Sequence, residues 1–103
     1  MGINKAEKEH LGKVADLGCI VCHHEGRFGV AAEVHHIRQG AGMGRRNSHF
    51  ETIPLCPMHH RTGGYGVAFH AGAKVWQELY GYERDLLKEV MGMIERGIVR
   101  IEQ

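Results

Sequence analysis

Thr52-Ile-Pro-Leu-Cys-Pro-Met-His-His60 is the stretch that decides the fold. Thr52–Leu55 reads as a short apolar strand. Cys56-Pro-Met-His59 then sets a thiol and an imidazole on one tight turn, where a tetrahedral ion about 2.0–2.3 Å from each donor can take both. Pro57 fits the first turn of a helix, because its missing N–H would be unpaired there anyway. His60 follows directly. Neighbours on a helix lie about 100° apart, so His59 can serve one centre while His60 faces another.

A matching pair stands upstream. Cys19-Ile-Val-Cys22 has the same two-residue gap, and together the two knuckles supply Cys19, Cys22, Cys56 and His59, a full set for a structural zinc ion. The cysteine count agrees: three is odd and includes a CxxC pair, which argues for metal rather than a disulfide framework. Two other readings compete. The cysteines could be buried core thiols beside solvated histidines. Cys19 to His23 also fits the CxxCH haem motif literally. Haem attachment of that kind normally accompanies export, however, and it would leave Cys56 and His59 unexplained.

The knuckles lie further apart than in a simple zinc ribbon, so something is inserted between them. Residues 19–33 read as the first turn and a Gly-rich loop. Val34-His35-His36-Ile37 reads as a short strand carrying two adjacent histidines. Strand neighbours point to opposite faces, so aiming both at one target needs a bulge or the strand's end. Residues 38–49 (RQGAGMGRRNSH) hold three glycines, three arginines and no acidic residue, the composition of an irregular basic loop.

Outside this region the pattern is helical. Residues 4–17 have Asn4 as a candidate N-cap, Ala6, His10, Val14 and Leu17 at helical spacing, and Gly18 as a stop. After the TGGYG link come helices over 71–80 and 82–96. The second carries a stripe of Leu86, Leu87, Val90 and Ile94, and this stripe and Trp76 read as core. Gly97 should end it, and Ile98–Ile101 could form a terminal strand. No repeat, low-complexity segment or domain boundary stands out, so residues 1–103 read as one domain.

At 103 residues the chain buries roughly 65% of its unfolded surface, a modest core for which metal ligation compensates. Hydrophobic content of 43% argues against global disorder. No run reaches the ~18 apolar residues of a membrane span, and the polar N-terminus lacks a signal-peptide centre, so the cytoplasm is the expected compartment. A net charge of +1 does not by itself suggest nucleic acid. Histidine is the outlier, with seven of nine between His23 and His60.

The order CxxC, then HHI, then PLCxxHH resembles the zinc-finger branch of the HNH (ββα-metal) nucleases over about residues 19–61. The run from Gly63 to Leu87 (GGYGVAFHAG, then W..LYG.E..LL) is similar to the phage recombination-enhancement group, the RecA-dependent nucleases. This resemblance implies a small α+β domain with a zinc-stapled ββα-metal core and flanking N- and C-terminal helices. It implies His35 and His60 as ligands of a catalytic divalent ion, Mg²⁺ or another, and His36 as the general base that activates water. His70 matches a position in the closer group and could join the site. The family has an asparagine about five residues before the knuckle cysteine, bracing the loop between the strands. Here that position is Glu51, with Asn47 and Ser48 upstream. Either the loop is braced differently or Glu51 contributes to the metal site. His23, His24 and His49 receive no role.

The chemistry is consistent with that implication. Phosphodiester hydrolysis needs a deprotonated water and a cation beside the phosphate, and a histidine near pKa 6.5 can accept the proton. Arg38, Arg45, Arg46 and Arg61 suit phosphate contacts that position DNA without reading its sequence. They are equally readable as a solvated face. Gly40, Gly42 and Gly44 would allow close backbone approach. So few charges predict weak binding with a modest salt slope, and targeting through a partner or a DNA-bound RecA-type filament. The expected function is a metal-dependent DNA endonuclease of phage or prophage recombination or repair. The rival is a non-catalytic zinc-binding DNA-binding module. Oligomeric state stays open.

Overall fold

The computed structural model describes residues 2–40 and 47–101. Among the described residues it is an α+β arrangement of four α-helices, two short helical turns and a two-stranded antiparallel sheet. Helix α1 spans Lys5–Leu17. Asn4 caps it as expected: its side chain accepts from the Glu7 N–H (2.8 Å) while the Asn4 N–H donates to the Glu7 carboxylate (3.0 Å), a reciprocal box that satisfies two orphan donors. Gly18 ends the helix at φ +91°. A Cβ there would also lie 3.2 Å from Gly29 Cα and the Val30 carbonyl, so the stop and the close approach both require glycine. His10, Val14 and Leu17 form the buried face.

The segment 19–33, expected as turn and loop, contains a short helix α2, Ile20–His24. The knuckle itself nucleates it. Cys19 Sγ accepts from the Cys22 N–H (3.4 Å) and the Cys19 carbonyl from the His23 N–H (3.0 Å), so the sulfur acts as the cap. Strands β1 (Glu33–His36) and β2 (Thr52–Leu55) pair with Glu33 opposite Leu55 and His36 opposite Thr52. Thus β1 starts one residue before the expected strand. All four β2 residues are buried, with α1, α2 and α4 packed around the strand.

The helix expected after Pro57 is shorter than its proline start suggests. Met58–Thr62 forms a single wide, π-type turn, closed by the Gly63 N–H on the Met58 carbonyl at 3.0 Å. A Cβ at Gly63 would fall 2.6 Å from that carbonyl and 2.5 Å from Val67 Cγ1, so closure depends on glycine. A tight turn follows at Phe69–Ala71, then α3 (Ala73–Tyr80) and α4 (Glu83–Glu95). Trp76 is buried, as are Leu86, Leu87 and Val90 of the α4 stripe and Met93 beside them, whereas Ile94 is half-buried.

One expectation is corrected. Ile98–Ile101 does not join the sheet. The Ile101 N–H instead donates to the Leu17 carbonyl (2.8 Å), and the Ile101 side chain is buried. The last carbonyls of α1 have no intrahelical donor, and one of them captures the terminal segment. Among the described residues, no helix is long and apolar enough to cross a membrane.

Candidate metal centres

The two knuckles converge. Cys19 and Cys22 come from the start of α2, Cys56 from the end of β2 and His59 from the wide turn, and their ligand atoms all lie within 4.8 Å of one another. All four residues are buried. His59 Nδ1 sits 3.2, 3.5 and 3.8 Å from the sulfurs of Cys56, Cys22 and Cys19, and the Cys22 and Cys56 sulfurs are 3.8 Å apart. Bonds of about 2.3 Å to sulfur and 2.0 Å to nitrogen would give tetrahedral edges of roughly 3.5–3.8 Å. The donor set and its dimensions therefore fit a metal ion such as zinc.

The surroundings are tuned to the same end. Burial pushes the Cys19 thiol up to about 12 and raises that of Cys22, a cost that a bound cation reverses by drawing out the thiolates. Burial also lowers the His59 pKa, favouring the neutral imidazole that a metal requires. The Arg27 guanidinium lies 3.7 Å from Cys22 Sγ. The Trp76 indole N–H fixes the turn by donating to the His59 carbonyl at 3.0 Å.

A second group lies close by. His35 from β1, His60 from the wide turn and His70 from the turn at Phe69–Ala71 bring one nitrogen each within 4.8 Å of the others. His60 Nε2 and His70 Nε2 stand 3.0 Å apart. Two carboxylates back the rings. Glu33 Oε1 accepts from His60 Nδ1 (2.7 Å), and Glu83 Oε2 accepts from His35 Nε2 (2.7 Å). With its proton held on Nδ1, His60 keeps a lone pair on the Nε2 that faces His70. Phe69 packs on the His35 ring, 4.4 Å between centroids.

Electrostatics hold these groups in their ligand-ready forms. The Arg61 guanidinium and then His60 pull the Glu33 carboxyl down to about 2. Burial opposes ionisation of Glu83, but the bonds from His35 and the Arg38 and Gln39 N–H groups outweigh it and hold its pKa below the usual carboxylate range. Burial, followed by mutual repulsion among the histidines, lowers His70; burial likewise lowers His60 against the pull of Glu33.

His36 takes the other side of the strand. The register from Glu33 to His36 is regular, without a bulge, so His36 closes β1 on the face opposite His35. Its Nε2 lies 2.8 Å from His49 Nδ1. Among the arginines, Arg38 is exposed at the mouth of the basic loop, whereas Arg61 is held by both oxygens of Glu33 (2.8 Å each). Arg45 and Arg46, with Gly42 and Gly44, lie outside the described residues.

The bracing asparagine has moved. Asn47 Nδ2 donates to the carbonyls of Ile37 and Gln39, both at 3.0 Å, and so ties together the two ends of the loop. Glu51 instead pairs with Arg84 (2.6 Å) and belongs to neither histidine nor cysteine group. Sequence reasoning missed Glu33, Glu83 and His49. Glu33 had a usable signal, because residues i and i+2 of a strand share a face and Glu33 stands two before His35. Glu83 is the glutamate of the W..LYG.E..LL run, which gave it no role, and His49 had no local signal.

The sequence model of the family described as recombination enhancement, RecA-dependent nuclease, matches residues 4–95. Comparison with curated proteins gives no match. The family match takes in both knuckles, all three clustered histidines and the whole of α4, and on that ground the chain belongs to the recombination-enhancement, RecA-dependent nuclease family.

Proposed function

We propose that the protein is a metal-dependent DNA endonuclease of the HNH type, in which β1, β2 and the turn after Pro57 serve as a ββα-metal unit. The observation that carries this reading is the convergence of His35, His60 and His70, backed by Glu33 and Glu83. The Cys19/Cys22/Cys56/His59 group is closed by four protein donors, the character of a structural zinc site. The three-histidine group offers fewer donors and so leaves room for a phosphate.

A divalent ion held by His35, His60 and His70 would supply positive charge against the charge that builds on the phosphate. Imidazole donors suit zinc and nickel best, and Mg²⁺ or Mn²⁺ held there would take its remaining ligands from water and phosphate oxygens. His36 is assigned the proton of the attacking water, a task suited to an imidazole at neutral pH, and this requires the end of β1 to turn its ring from His49 toward the other three. Arg38 contacts a flanking phosphate. With net charge near zero and so few cations, non-specific affinity is weak, and the DNA is delivered as part of a RecA-type filament. The whole chain acts as one domain, and its place is wherever that filament forms, inside the bacterial cell.

The test is plasmid and recombinase-coated DNA incubated with protein plus Mg²⁺ or Mn²⁺, alongside His36→Ala. Metal-dependent cleavage that drops roughly 10²–10⁴-fold in the variant is the expected result. Cleavage that survives His36→Ala would sink the assigned base. Absence of cleavage with any metal or filament would favour a zinc-binding DNA module without catalysis.

A further inference from the structure

Glu83 is 1% exposed and belongs to α4, yet all of its carboxylate bonds reach into the β1 region. Its two oxygens accept from His35 Nε2 (2.7 Å), from the Arg38 N–H (2.9 and 3.0 Å) and from the Gln39 N–H (2.9 Å). Its own N–H is held by the Gln77 side chain at 3.0 Å. A buried carboxylate is costly unless it is paired and hydrogen-bonded, and here His35 and two backbone N–H groups supply the partners. Packing alone does not need one here. A neutral side chain of the same shape could receive the two backbone N–H groups equally well. An ionised carboxylate has acceptors and no donor, so the imidazole nitrogen that faces it must carry a proton.

We propose that Glu83 is the positioning residue of the three-histidine centre, fixing the proton of His35 on Nε2 so that Nδ1 carries the lone pair offered to the ion. This rests on the metal-dependent reading above. The chemistry is that of a carboxylate behind a metal-bound histidine, where the partner sets tautomer and ring orientation and raises ligand basicity. Two observations fit it. His60 has the same arrangement through a different atom, with Glu33 holding Nδ1 and leaving Nε2. The backbone bonds from Arg38 and Gln39 also anchor Glu83 itself, so the carboxylate cannot rotate away from His35. The centre thus draws its geometry from a residue 48 positions beyond the ligand. Helix α4 is thereby part of the site rather than an accessory to the fold.

Glu83→Gln separates positioning from packing. The amide oxygen can still receive the Arg38 and Gln39 N–H groups. The amide NH₂ then faces His35 Nε2, requires a lone pair there and moves the ring proton to Nδ1. In the full chain, ¹⁵N imidazole spectra should show the Nε2–H form of His35 in the wild type and the Nδ1–H form in Glu83→Gln. Titration with Mn²⁺ alone should show one ion bound beyond the zinc in the wild type, and roughly 10–100-fold weaker binding in the variant. Zinc content and far-UV circular dichroism should match. A Glu83→Gln protein that binds Mn²⁺ like the wild type, or a wild type whose His35 carries its proton on Nδ1, overturns the proposal. The wild-type spectrum decides the matter even if the variant folds poorly. A wild type that binds no ion beyond zinc overturns the three-histidine reading itself, a failure distinct from that of Glu83.

Discussion

His59 and His60 are consecutive in the chain, yet they belong to different clusters. His59 Nδ1 faces three cysteine sulfurs at 3.2–3.8 Å, and His60 Nε2 faces His70 at 3.0 Å. The wide turn that carries them rotates one ring into the core and the other toward β1, with the Trp76 indole and Glu33 holding the two orientations. The two clusters therefore share a backbone, and an ion bound by the first would fix the position of the second.

The two histidines should fail differently. Structural zinc contributes roughly 10–16 kcal/mol in small zinc-finger systems, so His59→Ala should lose zinc and be largely unfolded at room temperature. His60→Ala should keep one zinc and its fold while losing cleavage by roughly 10²–10³-fold, the worth of a few kcal/mol of charge stabilisation. Elemental analysis with circular dichroism and a plasmid assay checks both. A folded, zinc-loaded His59→Ala would remove it from the staple.

His49 should matter to cleavage and not to metal. Its 2.8 Å contact holds the His36 ring at the strand's end. We expect His49→Ala to slow cleavage by roughly 10-fold, a fraction of the 10²–10⁴ ascribed to a general base, with zinc and Mn²⁺ binding unchanged. Single-turnover rates at saturating DNA provide the measurement. A variant as fast as the wild type would leave His49 without a part.

Arg38 and Arg61 should differ as phosphate contacts. Arg61 is already held at both ends of the Glu33 carboxylate, while among the described residues no ion pair holds Arg38. Arg38→Ala should weaken DNA binding and lower the salt slope by about 1. Arg61→Ala should change the slope less and should loosen Mn²⁺ binding through Glu33 and His60. Fluorescence anisotropy across a salt series distinguishes them, and equal slopes for the two variants would contradict the assignment.

His10 gives the fold a dependence on pH. The ring is buried against Phe50, 5.0 Å between centroids, and its Nε2 has no partner among the described residues. Burial lowers its pKa, the Lys13 charge adds to this, and a hydrogen bond to the Phe50 backbone opposes it. The folded state therefore binds the proton less readily than the unfolded chain. This contribution to stability is complete above the unfolded value of about 6.5 and is lost as pH falls toward the lower folded value. His10→Leu should flatten the decline in melting temperature between about pH 7.5 and 5.5. Parallel curves for wild type and variant would rule His10 out as a contributor.

The sequence by itself determined what depends on local spacing. A cap three residues from its partner placed the start of α1, and two C-x2-C/H turns nominated the Cys19/Cys22/Cys56/His59 cluster, because ligands on one tight turn need no knowledge of the rest of the chain. The strand pair was readable for the same reason. Tertiary structure alone decided which carboxylates stand behind the histidines. Glu33 reaches His60 across 27 residues, from β1 to the wide turn, and Glu83 reaches His35 across 48, from α4 to β1. It also moved the loop brace from Glu51 to Asn47 and put His36 beside His49 rather than among the other three rings. Local pattern can nominate a ligand. The direction in which its lone pair points is set by the partner on its other nitrogen, and only folding brings that partner near.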